Sequence, residues 1–158
     1  MKTRQQRVIE GLKWVTAAKP PPFDGKPKKL KGMPAKGKAY EKKVGLHLKQ
    51  LVEDGLPGEL WIGPWFCFED TNGKGMAQPD ALLFRKDRVL IIEAKLKQSP
   101  AAIPQLLLYG TLAEALLEVP WVGVQVFKFP STKRDDTWID TLSTSLEPRR
   151  IYNWHQLL

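Results

Sequence analysis

Asp80, Glu93 and Lys95 are the residues best placed to do chemistry, because the segment between them folds back on itself. "ALLFRKDRVLIIEAK" (81–95) reads as two apolar strands around a turn at Lys86-Asp87. A symmetric tight loop centred there sets Leu82 against Ile91, Arg85 against Arg88 and Asp80 against Glu93. Directly opposed side chains leave the same face of a strand pair, with Cβ atoms roughly 4.5–5.5 Å apart. Alternation adds Lys95 to that face and turns Ala94 away from it. Two carboxylates about 5 Å apart repel by roughly 3 kcal/mol at an effective dielectric near 20. A divalent cation reverses the sign of that interaction, and hard oxygen donors suit Mg²⁺ or Mn²⁺. A lysine beside the metal can hold or deprotonate a water if its own pKa is lowered. Metal, water and ammonium together suit phosphodiester hydrolysis. A lone Glu-x-Lys, by contrast, is an ordinary solvated strand end.

The elements that must position these groups are read from periodicity. Residues 3–17 carry Val8, Ile9, Leu12 and Val15 at helical spacing, which predicts a short amphipathic helix docked on the body. Residues 19–38, rich in Pro, Gly and Lys, read as a linker. A helix over about 39–54 follows, with Val44, Leu48, Leu51 and Val52 on its apolar face. "ELWIGPWFCFED" (59–70) reads as one strand bent at Gly63-Pro64, and "TNGKGMAQP" (71–79) as a loop at the mouth of the site. Strands at 80–85 and 88–95, a helix at about 103–118 and a strand at 121–129 come next. A short helix near Tyr152–Leu158 closes the chain. The expected fold class is α/β: a mixed sheet with helices packed against it. The expected organisation is a basic arm over 1–38 and a catalytic domain over 39–158.

"QPD" at 78–80 followed by "EAK" at 93–95 resembles the signature of the PD-(D/E)XK nuclease superfamily. The order helix, three strands, helix, strand is similar to that family's core. The resemblance implies that Asp80 and Glu93 are metal ligands and Lys95 the catalytic lysine. The family often adds a carboxylate from its first core helix, and Glu41 is the matching candidate, expected on the buried side with Val44 and Leu48. "PQLLLYG" supplies Gln105 and Tyr109 at Q-x-x-x-Y spacing, on one helix face. This resembles the RecB-type, lambda-exonuclease-like branch, in which these residues orient the lysine or contact the substrate phosphate. Helix packing is the competing explanation for them, because Leu108, Leu112 and Leu116 share that stripe, and for Tyr109 alone it is preferred. The resemblance covers about residues 37–129. It implies a Mg²⁺-dependent deoxyribonuclease, either an exonuclease or a structure-selective endonuclease, and by analogy phage or mobile-element DNA processing.

Composition agrees with a nucleic-acid partner. The chain has 158 residues, 42% hydrophobic and 27% charged, with a formal net charge of +8. Residues 1–38 hold eleven Lys and Arg against Glu10 and Asp24, so the excess positive charge sits there; the remainder is near neutral. A basic arm on a neutral body suits a polyanion such as DNA, although a solubilising tail is the plainer reading. No apolar run reaches membrane-spanning length, and Cys67 alone excludes an internal disulfide framework, so a cytoplasmic protein is expected (the host's cytoplasm if phage-encoded). His47, His155 and Cys67 make no zinc spacing, and neither a phosphate-binding glycine loop nor a serine-hydrolase elbow is present. Two other function classes stay open: a non-catalytic nucleic-acid-binding module that keeps the nuclease fold, and an assembly protein whose basic arm contacts a partner during packaging.

Overall fold

The hairpin that carries the candidate residues is the centre of the architecture. In the computed structural model, which describes residues 8, 10–19, 33–143 and 145–158, strands β5 (Ala81–Phe84) and β6 (Val89–Lys97) pair antiparallel. Leu82 opposes Ile91 and Phe84 opposes Val89, the register expected from a symmetric loop. The Arg85 N–H donates to the Arg88 carbonyl at 2.9 Å and closes it. The two arginine side chains donate to the carbonyls of Leu142, Ser143 and Leu146, tying the later chain to the hairpin end.

Strand β2 (Glu59–Ile62) lies antiparallel on the free edge of β5, while β7 (Trp121–Phe129) runs parallel to β6 on its other side. Strands β8 (Trp138–Ile139) and β9 (Ile151–His155) extend the sheet, giving the six-stranded order β2-β5-β6-β7-β9-β8. The first five residues of β6 and the first seven of β7 are buried. Both faces are covered, so neither run alternates. Helix α1 (Met33–Glu53) seats Tyr40, Val44 and Leu48 on the face of Ile92, Val124 and Val126. Helix α2 (Ala102–Leu117) covers the other face, packing Leu106, Tyr109 and Leu112 against Leu82 and Ile91. It can lie close because residue 110 is glycine: a Cβ there would overlap the Trp121 ring.

A second sheet, three-stranded in the order β1-β3-β4, joins β1 (Trp14–Ala18), β3 (Trp65–Asp70) and β4 (Gly73–Ala77). It holds several departures from the sequence reading. Residues 14–17, expected to be helical, lie in strand β1 because their backbone pairs with β3; of the expected helix, Val8, Glu10 and Gly11 are helical. Val8 is buried and Leu12 and Val15 pack on the same cluster, so the segment docks on the body as expected. Residues 1–7, 9 and 20–32, which carry most of the expected arm, lie outside the described residues. The expected linker is helical from Met33 onward.

The segment 59–70 is two strands in different sheets. Gly63, at φ +61°, takes the left-handed turn that a bent strand cannot make. The expected loop at 71–79 contains β4, and the expected C-terminal helix is β9, whose Tyr152 and Trp154 are buried at strand alternation. No helix among the described residues is long and apolar enough to cross a membrane.

Candidate functional site

Asp80 sits where β5 gives out and its side chain takes over the pairing. Its carbonyl accepts the Gly63 N–H at 2.8 Å, and its Oδ2 accepts the Ala94 N–H at 2.7 Å. The carboxyl is thereby pinned beside the middle of β6. Glu93 stands there, 5% exposed, with its Oε2 buried and without a hydrogen-bond partner. Glu41 reaches in from α1, half-buried, its Oε1 accepting from Lys38 Nζ at 3.2 Å. Asp80 is within hydrogen-bonding reach of both Glu41 and Glu93, so the acids form a chain, Glu41–Asp80–Glu93. Among the described residues no three His, Cys, Asp or Glu side chains already stand as a metal-holding group.

Lys95 is half-buried and close enough to Glu93 to stabilise its charge. Tyr109 is buried, donates from its hydroxyl to the Gln78 carbonyl at 3.3 Å, and lies within reach of Glu93. Gln105 lies one turn before it with Oε1 buried and unpartnered, and no hydrogen bond joins it to the carboxyls among the described residues. The structure therefore brings Asp80, Glu93, Lys95, Glu41 and Tyr109 together, and among the described residues no hydrogen bond links Gln105 to them.

Burial and mutual repulsion dominate the electrostatics. Burial first, then Glu93, pushes Asp80 from 3.8 up to about 8, against the Ala94 N–H that favours its charge. Burial and then Asp80 push Glu41 from 4.5 up to about 7, with Lys38 opposing. Burial raises Glu93 also, while a hydrogen bond with Asp80, then Lys95 and the Tyr109 hydroxyl, hold it down. Crowding and burial together make these acids resist ionising.

The donor set fits a hard divalent cation such as Mg²⁺: all oxygens, one of them on Glu93 orphaned in the interior. The pH dependence follows with a definite sign. The folded state keeps protons that the unfolded chain releases above its ordinary carboxylate range, so stability is present in acid and is lost as pH rises. The window runs from the ordinary Asp value, 3.8, to about 8. In EDTA the melting temperature should fall between pH 5 and pH 8. Mg²⁺ should restore more of it at pH 8 than at pH 5, because it binds carboxylates that have lost their protons. Melts in EDTA and in Mg²⁺ across that range check both halves. A flat profile in EDTA would mean that the acids do not share a proton.

The chain matches no protein-family model, no curated protein and no solved structure. Two features of the site's geometry escaped the sequence reading. Gln125, buried at 3% exposure, is the register partner of Glu93 across β6 and β7, and its Oε1 accepts the Ser99 N–H at 2.7 Å, anchoring the crossover into α2. A glutamine inside the apolar run "WVGVQVFKF" was the available signal. Lys38, Lys42 and Lys49 line a cleft of about 490 Å³ whose walls include Glu41 and Asp80. Their spacing along α1 was legible, but the wall they share with Asp80 was not.

Proposed function

We propose that this protein is a Mg²⁺-dependent deoxyribonuclease of the PD-(D/E)XK type. The carrying observation is Asp80 held against Glu93 at the centre of β6, with Lys95 beside Glu93. The order of elements supports the reading: α1, the antiparallel β2-β5-β6, α2, then β7 parallel to β6, with the β3-β4 hairpin inserted between β2 and β5. Asp80 and Glu93 would hold the metal and Glu41 assist. The cation would supply charge neutralisation at the phosphate and a more acidic water.

Lys95 would position that water beside Glu93. Tyr109 braces Glu93, and Gln105, one turn before Tyr109 on α2, has a buried, unpartnered amide oxygen. Lys38, Lys42 and Lys49 give the cleft the charge a phosphate backbone needs, independent of base sequence. The Q-x-x-x-Y pair leans toward processing of DNA ends.

The test is a panel of labelled linear, nicked, branched and single-stranded DNA, bound in EDTA and then given Mg²⁺ or Mn²⁺. Products should form with the metal and not in EDTA. Binding without products on every substrate would instead make this a non-catalytic nucleic-acid-binding module.

A further inference from the structure

We propose that a second groove, on the flank of α1 away from Glu41, binds single-stranded nucleic acid, with phosphates on Lys36, Lys43 and Lys128 and a base stacked on Phe129. The proposal rests on the reading of the partner as nucleic acid and adds the form of strand it takes. The groove encloses about 300 Å³ between α1, Leu96 of β6 and the end of β7. Lys36 and Lys43 are seven residues apart on α1, nearly in line along the helix and about 10.5 Å apart in rise. They flank Tyr40, whose buried ring forms the groove floor with Leu96.

Lys128 closes the third side. The lining also includes Leu158 but no acidic side chain, and among the described residues none of the three lysines is in a salt bridge. Such a set of like charges around one concavity is complementary to a polyanion.

The aromatic decides which polyanion. Phe129 is 48% exposed, and Lys128 Nζ lies 5.8 Å from its ring centre. A phenyl face among cations offers an acidic peptide little, but a base stacks on it whatever its identity. Stacking requires a base free of its partner strand, which singles out single-stranded DNA or a frayed end over intact duplex. The position agrees. Leu96 follows Lys95 directly, and Phe129 is the register partner of Lys97 on β7. The groove therefore lies toward the C-terminal ends of β6 and β7, past Glu93 at the middle of β6, and across α1 from the cleft of Lys38 and Lys42. A strand leaving the site around the sheet end would run into it.

The test uses the full-length protein in EDTA, where no cleavage competes. Anisotropy of a labelled oligothymidine is measured at several salt concentrations, beside a blunt duplex hairpin. Replacing Lys36, Lys43 and Lys128 together by Ala should reduce the single-strand log–log salt slope by about 2, since each lost phosphate contact removes roughly 0.7. Phe129→Ala should weaken single-strand binding at least about 5-fold, and Phe129→Trp should restore it, because a larger ring stacks as well. Duplex affinity should change less than about twofold with Phe129→Ala. All these side chains are at the surface, so circular-dichroism melts should match the parent.

An unchanged slope, or Phe129→Ala binding like the parent, overturns the groove. Equal losses on duplex and single strand overturn the stacking assignment, and displacement by polyglutamate as readily as by oligothymidine overturns the nucleic-acid assignment. Cleavage that never appears while these binding effects hold sinks the nuclease reading alone. Normal cleavage with unaffected binding sinks the groove alone.

Discussion

Glu93→Gln is expected to abolish cleavage while the protein folds and melts as well as the parent, or slightly better. The substitution keeps the shape of a side chain that is 5% exposed and removes one charge from the Glu41–Asp80–Glu93 chain. Glu93 bears the cost of burial and repulsion from Glu41, set against a hydrogen bond with Asp80 and help from Lys95 and Tyr109. Removing its charge lowers the repulsive load on Asp80, whose elevation to about 8 owes its second-largest part to Glu93. The stabilisation should therefore grow with pH, as the parent's acids are forced to ionise.

Catalysis should move the opposite way. Loss of one preorganised electrostatic group at a reacting phosphate is worth on the order of 10²–10³ in rate, and a metal ligand should reach at least that. Asp80→Asn should behave likewise, since its amide oxygen can still accept the Ala94 N–H that Asp80 Oδ2 accepts at 2.7 Å. Single-turnover cleavage beside thermal melts at pH 6 and pH 8 separates these effects. Full activity in both variants would end the nuclease proposal as drawn.

Lys95→Ala should cost turnover about 10²–10⁴-fold, the range of a positioned proton-handling group, without loss of metal affinity. Its ammonium stabilises the charged form of Glu93. When a divalent cation occupies the same carboxylates, that ammonium becomes a like charge beside it, so deletion should leave Mg²⁺ affinity equal or higher. Calorimetric Mg²⁺ titration and single-turnover rates on one substrate make the comparison. A normal rate at neutral pH would return Lys95 to the status of a strand-end charge. A lost rate together with much weaker Mg²⁺ binding would mean that the lysine shapes the site and does not act on the water.

What was legible in the residues follows a physical divide. The β5-β6 register could be read from "FRKDRV" because a tight antiparallel turn leaves the chain no freedom: once the loop is symmetric, Leu82 must meet Ile91. Helix α2 and strand β7 were equally legible, since their burial patterns arise within one element. Where two periods fit the same residues, sequence misled. Val8, Leu12 and Val15 satisfy a helical stripe, but Val15 and Ala17 also satisfy a strand, and the edge of β3 decided for the strand. "GKGMA" has no apolar alternation and is mostly exposed, so only hydrogen bonding to β3 makes it β4.

The site divides in the same way. The opposition of Asp80 and Glu93 and the side shared by Lys95 come from one hairpin. The approach of Glu41 to Asp80, the pairing of Glu93 with Gln125 and the lysine-lined walls on both flanks of α1 join residues far apart in the chain. No turn geometry sets those distances. The packing of α1 and α2 on opposite faces of the sheet does, and that packing exists only once the whole core has formed.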